Sequence, residues 1–207
     1  HLPEAQAPIT PPPSGPIRFG TFNHSRKFSD RTLRLWGRIL QQRPDAQLVL
    51  KAHAFGDPAT QTLLLRRMHR AGLPTDRIIW LPLTGTTEEH LQQYSQLDVA
   101  LDCTPNGGCT TTCEALWMGV PVITLAGHGY VSRMSTAVLH GAGLSDWVAT
   151  TDQAYVDLAE KQADRLKLLR AQRSQWRQQL IQSPLGDAAG LMHSLEEMFE
   201  SMVFKTL

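Results

Sequence analysis

From residue 17 onward, short apolar runs alternate with longer amphipathic stretches. Residues 17–22, 47–52, 77–81, 99–101, 120–125 and 147–149 have the length and apolar content of buried strands. Between them, residues 30–42, 60–71, 88–96, 111–118 and 131–141 carry the three-to-four-residue apolar spacing of helices. Repeated strand–helix order predicts a parallel sheet covered by helices, a single α/β domain over residues 17–207. Past the last strand, residues 153–182 read as one long helical stretch and 188–204 as another, both packed on the outside. No internal repeat is visible.

Residues 1–16 break this pattern, with Pro11-Pro12-Pro13 and then Ser-Gly-Pro, so neither a helix nor a central strand is expected there. The reading is a proline-rich linker or extended arm, and a chain cut from something larger. The richest segment lies between Leu101 and Leu125, where a strand, a glycine turn, a hydroxyl-rich helix start and the next strand follow in one run. Asn106-Gly107-Gly108 lets backbone approach a ligand with no Cβ between them. Thr110, Thr111 and Thr112 then open a helix whose first-turn N–H groups and dipole favour an anion. Glu114 stands where a carboxylate accepts hydrogen bonds from a ribose diol. The plainer alternative is that the threonines only cap the helix and Glu114 complements its dipole. The convergence of glycines, hydroxyls and an acid at one strand-to-helix crossing favours a phosphate cradle. It is neither the dinucleotide glycine fingerprint nor a Walker loop, since no lysine follows Gly107-Gly108 at the required place.

Composition narrows the class. The chain has 207 residues, 42% hydrophobic and 19% charged, enough for a well-packed core. Its net charge is +1 with no basic stripe, so nucleic acid is not an expected partner and phosphate binding must be local. No apolar run reaches the roughly 18 residues of a membrane span and no signal-peptide pattern opens the chain, which leads to the expectation of a cytoplasmic location. Cys103, Cys109 and Cys113 lie close in sequence, but no His/Cys pair follows at zinc spacing, so they read as thiols and no metal is expected.

The run Asn106-Gly-Gly-Cys-Thr-Thr-Thr-Cys-Glu-Ala-Leu-Trp-Met-Gly-Val-Pro121 resembles the C-terminal catalytic half of the O-GlcNAc transferase and Spindly family. Phe19-Gly-Thr-Phe-Asn-His-Ser-Arg-Lys27, Glu88-Glu89-His90, Asp98-Val-Ala-Leu-Asp102 and Ser183-Pro184-Leu185 extend the likeness over roughly residues 17 to 204. The resemblance implies a Rossmann-like nucleotide-binding domain, the C-terminal half of a two-domain GT-B glycosyltransferase. It implies that Lys27 holds the β-phosphate of the donor and that His90 stacks on the nucleotide base. Thr110 and Thr111 match the phosphate-binding threonines, and Glu114 the ribose-binding acid, as Asp-to-Glu. His24 stands where relatives have an amide side chain, and Cys109 where animal enzymes have a histidine. Thr87 and Gln93 replace a lysine and an arginine of the animal enzymes.

Thr-Thr-Thr-Cys-Glu is closer to Spindly-type and bacterial members, so the donor is UDP-GlcNAc or, on the Spindly side, GDP-fucose. The implied reaction passes the sugar to a protein serine or threonine hydroxyl, with Lys27 and the threonine amides stabilising the departing diphosphate. No Asp-x-Asp motif is present to carry magnesium, and no cofactor beyond the donor is expected. The acceptor side and any helical TPR repeats belong to an N-terminal half outside this sequence, without which the piece is expected to be inactive. His128 and Arg133 follow another strand and read as sugar or diphosphate contacts, or as plain surface charge. A nucleotide-sugar scaffold without catalysis and a UDP-sugar epimerase of the same fold remain as rival readings.

Overall fold

The computed structural model describes residues 7–10, 12 and 14–204. Six parallel strands form one sheet: β1 (Arg18–Thr21), β2 (Gln47–Leu50), β3 (Ile78–Trp80), β4 (Val99–Leu101), β5 (Val122–Leu125) and β6 (Val148–Ala149). Their spatial order is β3-β2-β1-β4-β5-β6. The chain winds outward from β1 to one edge, returns to the middle at β4 and winds to the other edge. β4 and β5 are buried at every position, as strands covered on both faces must be. Phe19 pairs with Leu48 on one side and Val99 on the other, while Gly20 keeps β1 close to its neighbours. A Cβ at Gly20 would stand 2.4 Å from both Leu97 Cδ2 and the Val49 carbonyl.

The helices are α1 (Asp30–Gln42), α2 (Pro58–Arg70), α3 (Thr87–Gln92), α4 (Thr110–Trp117), α5 (Met134–Gly141), α6 (Asp152–Asp164), α7 (Leu166–Ala171), α8 (Arg173–Gln182) and α9 (Ala188–Phe204). Ser29 caps α1 by accepting from Thr32 N, and Leu33, Trp36, Ile39 and Leu40 bury its inner stripe. α1 packs on α6, and α4 packs on α8. At the first of these contacts the fully buried Trp36 donates to the Tyr155 hydroxyl at 3.3 Å.

Three expectations change. The stretch 153–182 is three helices, broken at Arg165 and Gln172, which leave helical geometry at ψ near zero or above. The second break turns α8 so that the buried Arg173 donates to the carbonyls of Leu97 and Tyr94 at 2.5 and 2.6 Å. The stretch 88–96 ends as a 3-10 turn from Gln93, and 131–141 begins with a 3-10 turn at Tyr130–Ser132. In the arm, Ala7 is fully buried and its carbonyl accepts from Arg177 at 2.9 Å, so this point of the arm is held against α8.

Candidate functional site

In an open α/β sheet the ligand crevice lies beyond the carboxyl ends of the two strands where winding reverses. Here those strands are β1 and β4, and the residues that follow them meet. Asn23, after β1, donates from Nδ2 to Asp102 Oδ1 at 3.1 Å, just after β4. Asp102 is 3% exposed and organises the loop. Its Oδ1 also accepts from the backbone N–H groups of Cys103 (2.9 Å) and Gly108 (2.8 Å), and Oδ2 accepts from Thr124 Oγ1 (2.8 Å) on β5. The Tyr155 hydroxyl from α6 donates to the Asp102 carbonyl at 2.9 Å. A carboxylate with four donors is well compensated in a buried place.

This network sets the glycine turn against α4. Gly108 admits no side chain: a Cβ would lie 2.6 Å from Thr111 Oγ1 and 2.7 Å from Thr112 Oγ1. Ser135 of α5 bonds the Gly108 carbonyl at 2.9 Å and the Thr112 hydroxyl at 3.0 Å. Cys109 takes the N-cap position of α4 without a side-chain cap, and the first i→i−4 bond is Cys113 N to Cys109 O. The amides of Thr110 and Thr111 precede that bond and point out of the helix start. Thr110 is exposed, while the Thr111 hydroxyl donates to Asn23 Oδ1 at 3.1 Å.

Lys27 closes the cradle from the β1 side. A 3-10 turn over Ser25–Lys27, capped by His24 Nδ1 accepting from Arg26 N, carries the lysine back over the loop. Its Nζ bonds the Gly107 carbonyl at 2.7 Å and Asn23 Oδ1 at 3.3 Å. An ammonium has three donors, so one is left for an anion at the mouth of α4.

The third group lies beside the cradle. His90 Nε2 is 3.2 Å from Glu114 Oε2, and the Tyr94 hydroxyl donates to that same oxygen at 3.0 Å. His90 packs near Phe22 and Tyr94, with ring centroids 5.8 Å apart in both cases. Lys51, buried at the end of β2, places Nζ 2.8 Å from His90 Nδ1. Burial pulls the Lys51 ammonium below the usual lysine value, opposed by the Glu114 charge. Burial, and then Glu114, push the Tyr94 phenol well above its ordinary value, which keeps it a donor. Burial, with Asp102 next, pushes the Cys103 thiol well up as well.

The structure thus brings together Lys27, Thr110, Thr111 and Glu114, with His90 against Glu114. His24 is exposed and caps the turn that aims Lys27, and Cys109 is exposed at the helix start. His128 and Arg133 are exposed. Asn23 as a bridge, Asp102, Lys51 and Tyr94 were not singled out from sequence. The available signal for Asp102 and Lys51 was a charged residue placed directly after a buried apolar strand. All three cysteines are free thiols, and among the described residues no group of three or more His, Cys, Asp or Glu side chains is arranged to hold a metal ion. No helix among the described residues is long and apolar enough to cross a membrane.

The fold has counterparts in known proteins. The Thermobaculum terrenum O-GlcNAc transferase, solved as a mutant, superimposes with a TM-score of 0.84 at 32% identity, over 97% of this chain and 39% of that one. Anabaena HepE, solved with UDP and glucose, shares the fold at a TM-score of 0.59 and 15% identity, over 89% of this chain and 49% of its own. These neighbours are GT-B glycosyltransferases, and the parallel six-stranded sheet with its helices is of that architecture. In sequence, a probable UDP-N-acetylglucosamine–peptide N-acetylglucosaminyltransferase SPINDLY of Hordeum vulgare is 36% identical over 203 residues, 97% of this chain and 21% of the relative. The chain therefore spans about a fifth of the length of that relative. The model of glycosyl transferase family 41 matches residues 10–195, nearly all of the sheet and its helices, and the chain belongs to that family.

Proposed function

We propose that this chain is the donor-binding domain of a protein O-glycosyltransferase, which passes a sugar from a nucleoside diphosphate sugar to serine or threonine hydroxyls. The observation that carries the reading is the convergence of Lys27 Nζ, the α4 N-terminus and the Asn23–Asp102 bridge at the point where sheet winding reverses. As the glycosidic bond breaks, negative charge grows on the β-phosphate. A preorganised ammonium and two helix-start amides stabilise that charge more than they stabilise the intact donor, which is what lowers a barrier. Glu114 then takes the ribose hydroxyls and His90 the base. Cys109 lies at the rim of the phosphate site, and His24 acts by shaping the Lys27 turn.

UDP-GlcNAc is the proposed donor, in keeping with the names of the relatives. GDP-fucose is the second reading, favoured by the run Thr110-Thr-Thr-Cys-Glu114, which is closer to Spindly-type members. The acceptor site and any TPR repeats are assigned to the remainder of a longer, cytoplasmic protein. Leu191, Met192, Phe199 and Val203 on α9 are each exposed by 55% or more, in keeping with a further half that meets this one. The test is parallel calorimetric titration with UDP, UDP-GlcNAc, GDP and GDP-fucose. Preferential UDP binding supports the first donor and GDP preference the second. Binding of none by a folded chain removes the donor-site reading for this domain.

A further inference from the structure

β2 ends in a buried cation that the phosphate cradle does not use. Lys51 follows Leu48-Val49-Leu50 and is 3% exposed. Its Nζ is held by Thr84 Oγ1 at 3.1 Å and His90 Nδ1 at 2.8 Å, and lies 5.5 Å from the Phe22 ring centroid. A buried ammonium is costly unless an opposite charge answers it. Among the described residues no carboxylate is within ion-pair distance of Lys51, and the answering charge is Glu114, on the far side of the His90 ring. The groups that face the imidazole are Lys51 just after β2, Phe22 just after β1, Tyr94 from the 3-10 turn after α3, and Glu114 from α4, while Thr84 holds the Lys51 ammonium.

This order of groups dictates a proton arrangement. An ammonium only donates, so Nδ1 of His90 must be the acceptor. A neutral imidazole then carries its proton on Nε2, which faces Glu114 Oε2. Lys51, His90 and Glu114 form a line in which each donor points at an acceptor and the two charges are of opposite sign. The Tyr94 hydroxyl reinforces the same carboxylate oxygen, so both hydrogen bonds fall on Oε2.

We infer that Lys51 is a positioning residue: it selects the Nε2–H tautomer of His90, which fixes the imidazole plane and orients Glu114. The part that concerns nucleotide rests on the donor-site reading, whereas the tautomer does not. That separation makes the two distinguishable. Long-range proton–nitrogen correlation spectra of the chain labelled with 15N-histidine, with the His90 signals assigned from their loss in His90→Gln, read the tautomer directly in the absence of nucleotide. The expected result is protonated Nε2 and bare Nδ1. Protonated Nδ1, or an even mixture, overturns the inference, and so does an unchanged tautomer in a folded Lys51→Met variant. Lys51→Arg keeps a donor at Nδ1 and is expected to retain the wild-type pattern, which it reports even if Lys51→Met does not fold. UDP affinity is expected to fall roughly ten-fold in Lys51→Met, the scale of one organising hydrogen bond, and to return in Lys51→Arg. Wild-type affinity in a Met variant whose tautomer has changed overturns the link from His90 to the nucleotide. A fixed Nε2–H tautomer in a chain that binds no nucleotide sustains the role of Lys51 and counts against the donor site alone.

Discussion

Asp102 is the residue on which the site geometry depends. Its two oxygens collect four donors from two loops and β5, so replacing it with Ala strands those donors in a dry environment. Buried donors without partners cost about 1–3 kcal/mol each, and partial relaxation leaves an expected loss near 3 kcal/mol in urea unfolding of Asp102→Ala. Asp102→Asn keeps one oxygen and turns an N–H toward the Thr124 hydroxyl, with an expected loss of about 1 kcal/mol. Equal losses in the two variants would contradict the role given to the oxygens.

At this scale the sequence shows the residues of the proposed cradle better than the residues that support them. Thr110, Thr111 and Glu114 were legible because glycine turn and helix start are local in sequence. Lys27, in the loop after the first strand, rested mainly on the family likeness, because nothing local ties a loop lysine to a glycine turn 80 residues away. The bridging role of Asn23, and Lys51 and Tyr94 altogether, stayed hidden because each works through a partner on another element, a fact of packing and not of pattern.

At the scale of elements, the strands were readable because parallel strands buried on both faces are written as apolar runs. The long stretch 153–182 was not, because nothing in its sequence forces a break: no proline or glycine stands at Arg165 or Gln172. Tertiary contact decides it. The turn before α8 lets Arg173 reach two carbonyls beyond α3, and burial pulls its guanidinium down to about 10. Arg173→Met fills the volume but leaves the carbonyls of Leu97 and Tyr94 without their donor. The expected cost is about 2–4 kcal/mol, read as a lower midpoint in thermal unfolding with the far-ultraviolet spectrum retained. A midpoint within a degree of wild type would show that α8 is held by its apolar contacts alone.

For the molecule as a whole, two buried tyrosines couple the site to the core. Tyr155 joins α6 to β4 through the Asp102 carbonyl, and Tyr94 joins the 3-10 turn after α3 to α4 through Glu114. Burial raises both phenols well above their ordinary value. An acid whose folded value is raised stabilises the fold fully below its unfolded value, near pH 10, and that contribution is lost as pH rises further. Phenolate absorbance from these two residues is therefore expected to emerge together with unfolding on the alkaline side. Smooth ionisation of all three tyrosines in a chain that stays folded would contradict their burial.

The central claim is that Lys27 and the start of α4 hold the second phosphate of a nucleotide. Its most direct test is calorimetric titration of the wild-type chain and Lys27→Ala with the preferred nucleoside diphosphate and its monophosphate. Loss of a charge-assisted hydrogen bond of about 1.5–3 kcal/mol is expected to weaken the diphosphate by roughly ten- to a hundred-fold, and to leave monophosphate affinity nearly unchanged. Equal diphosphate affinity in the two proteins would place the phosphate elsewhere and contradict the account.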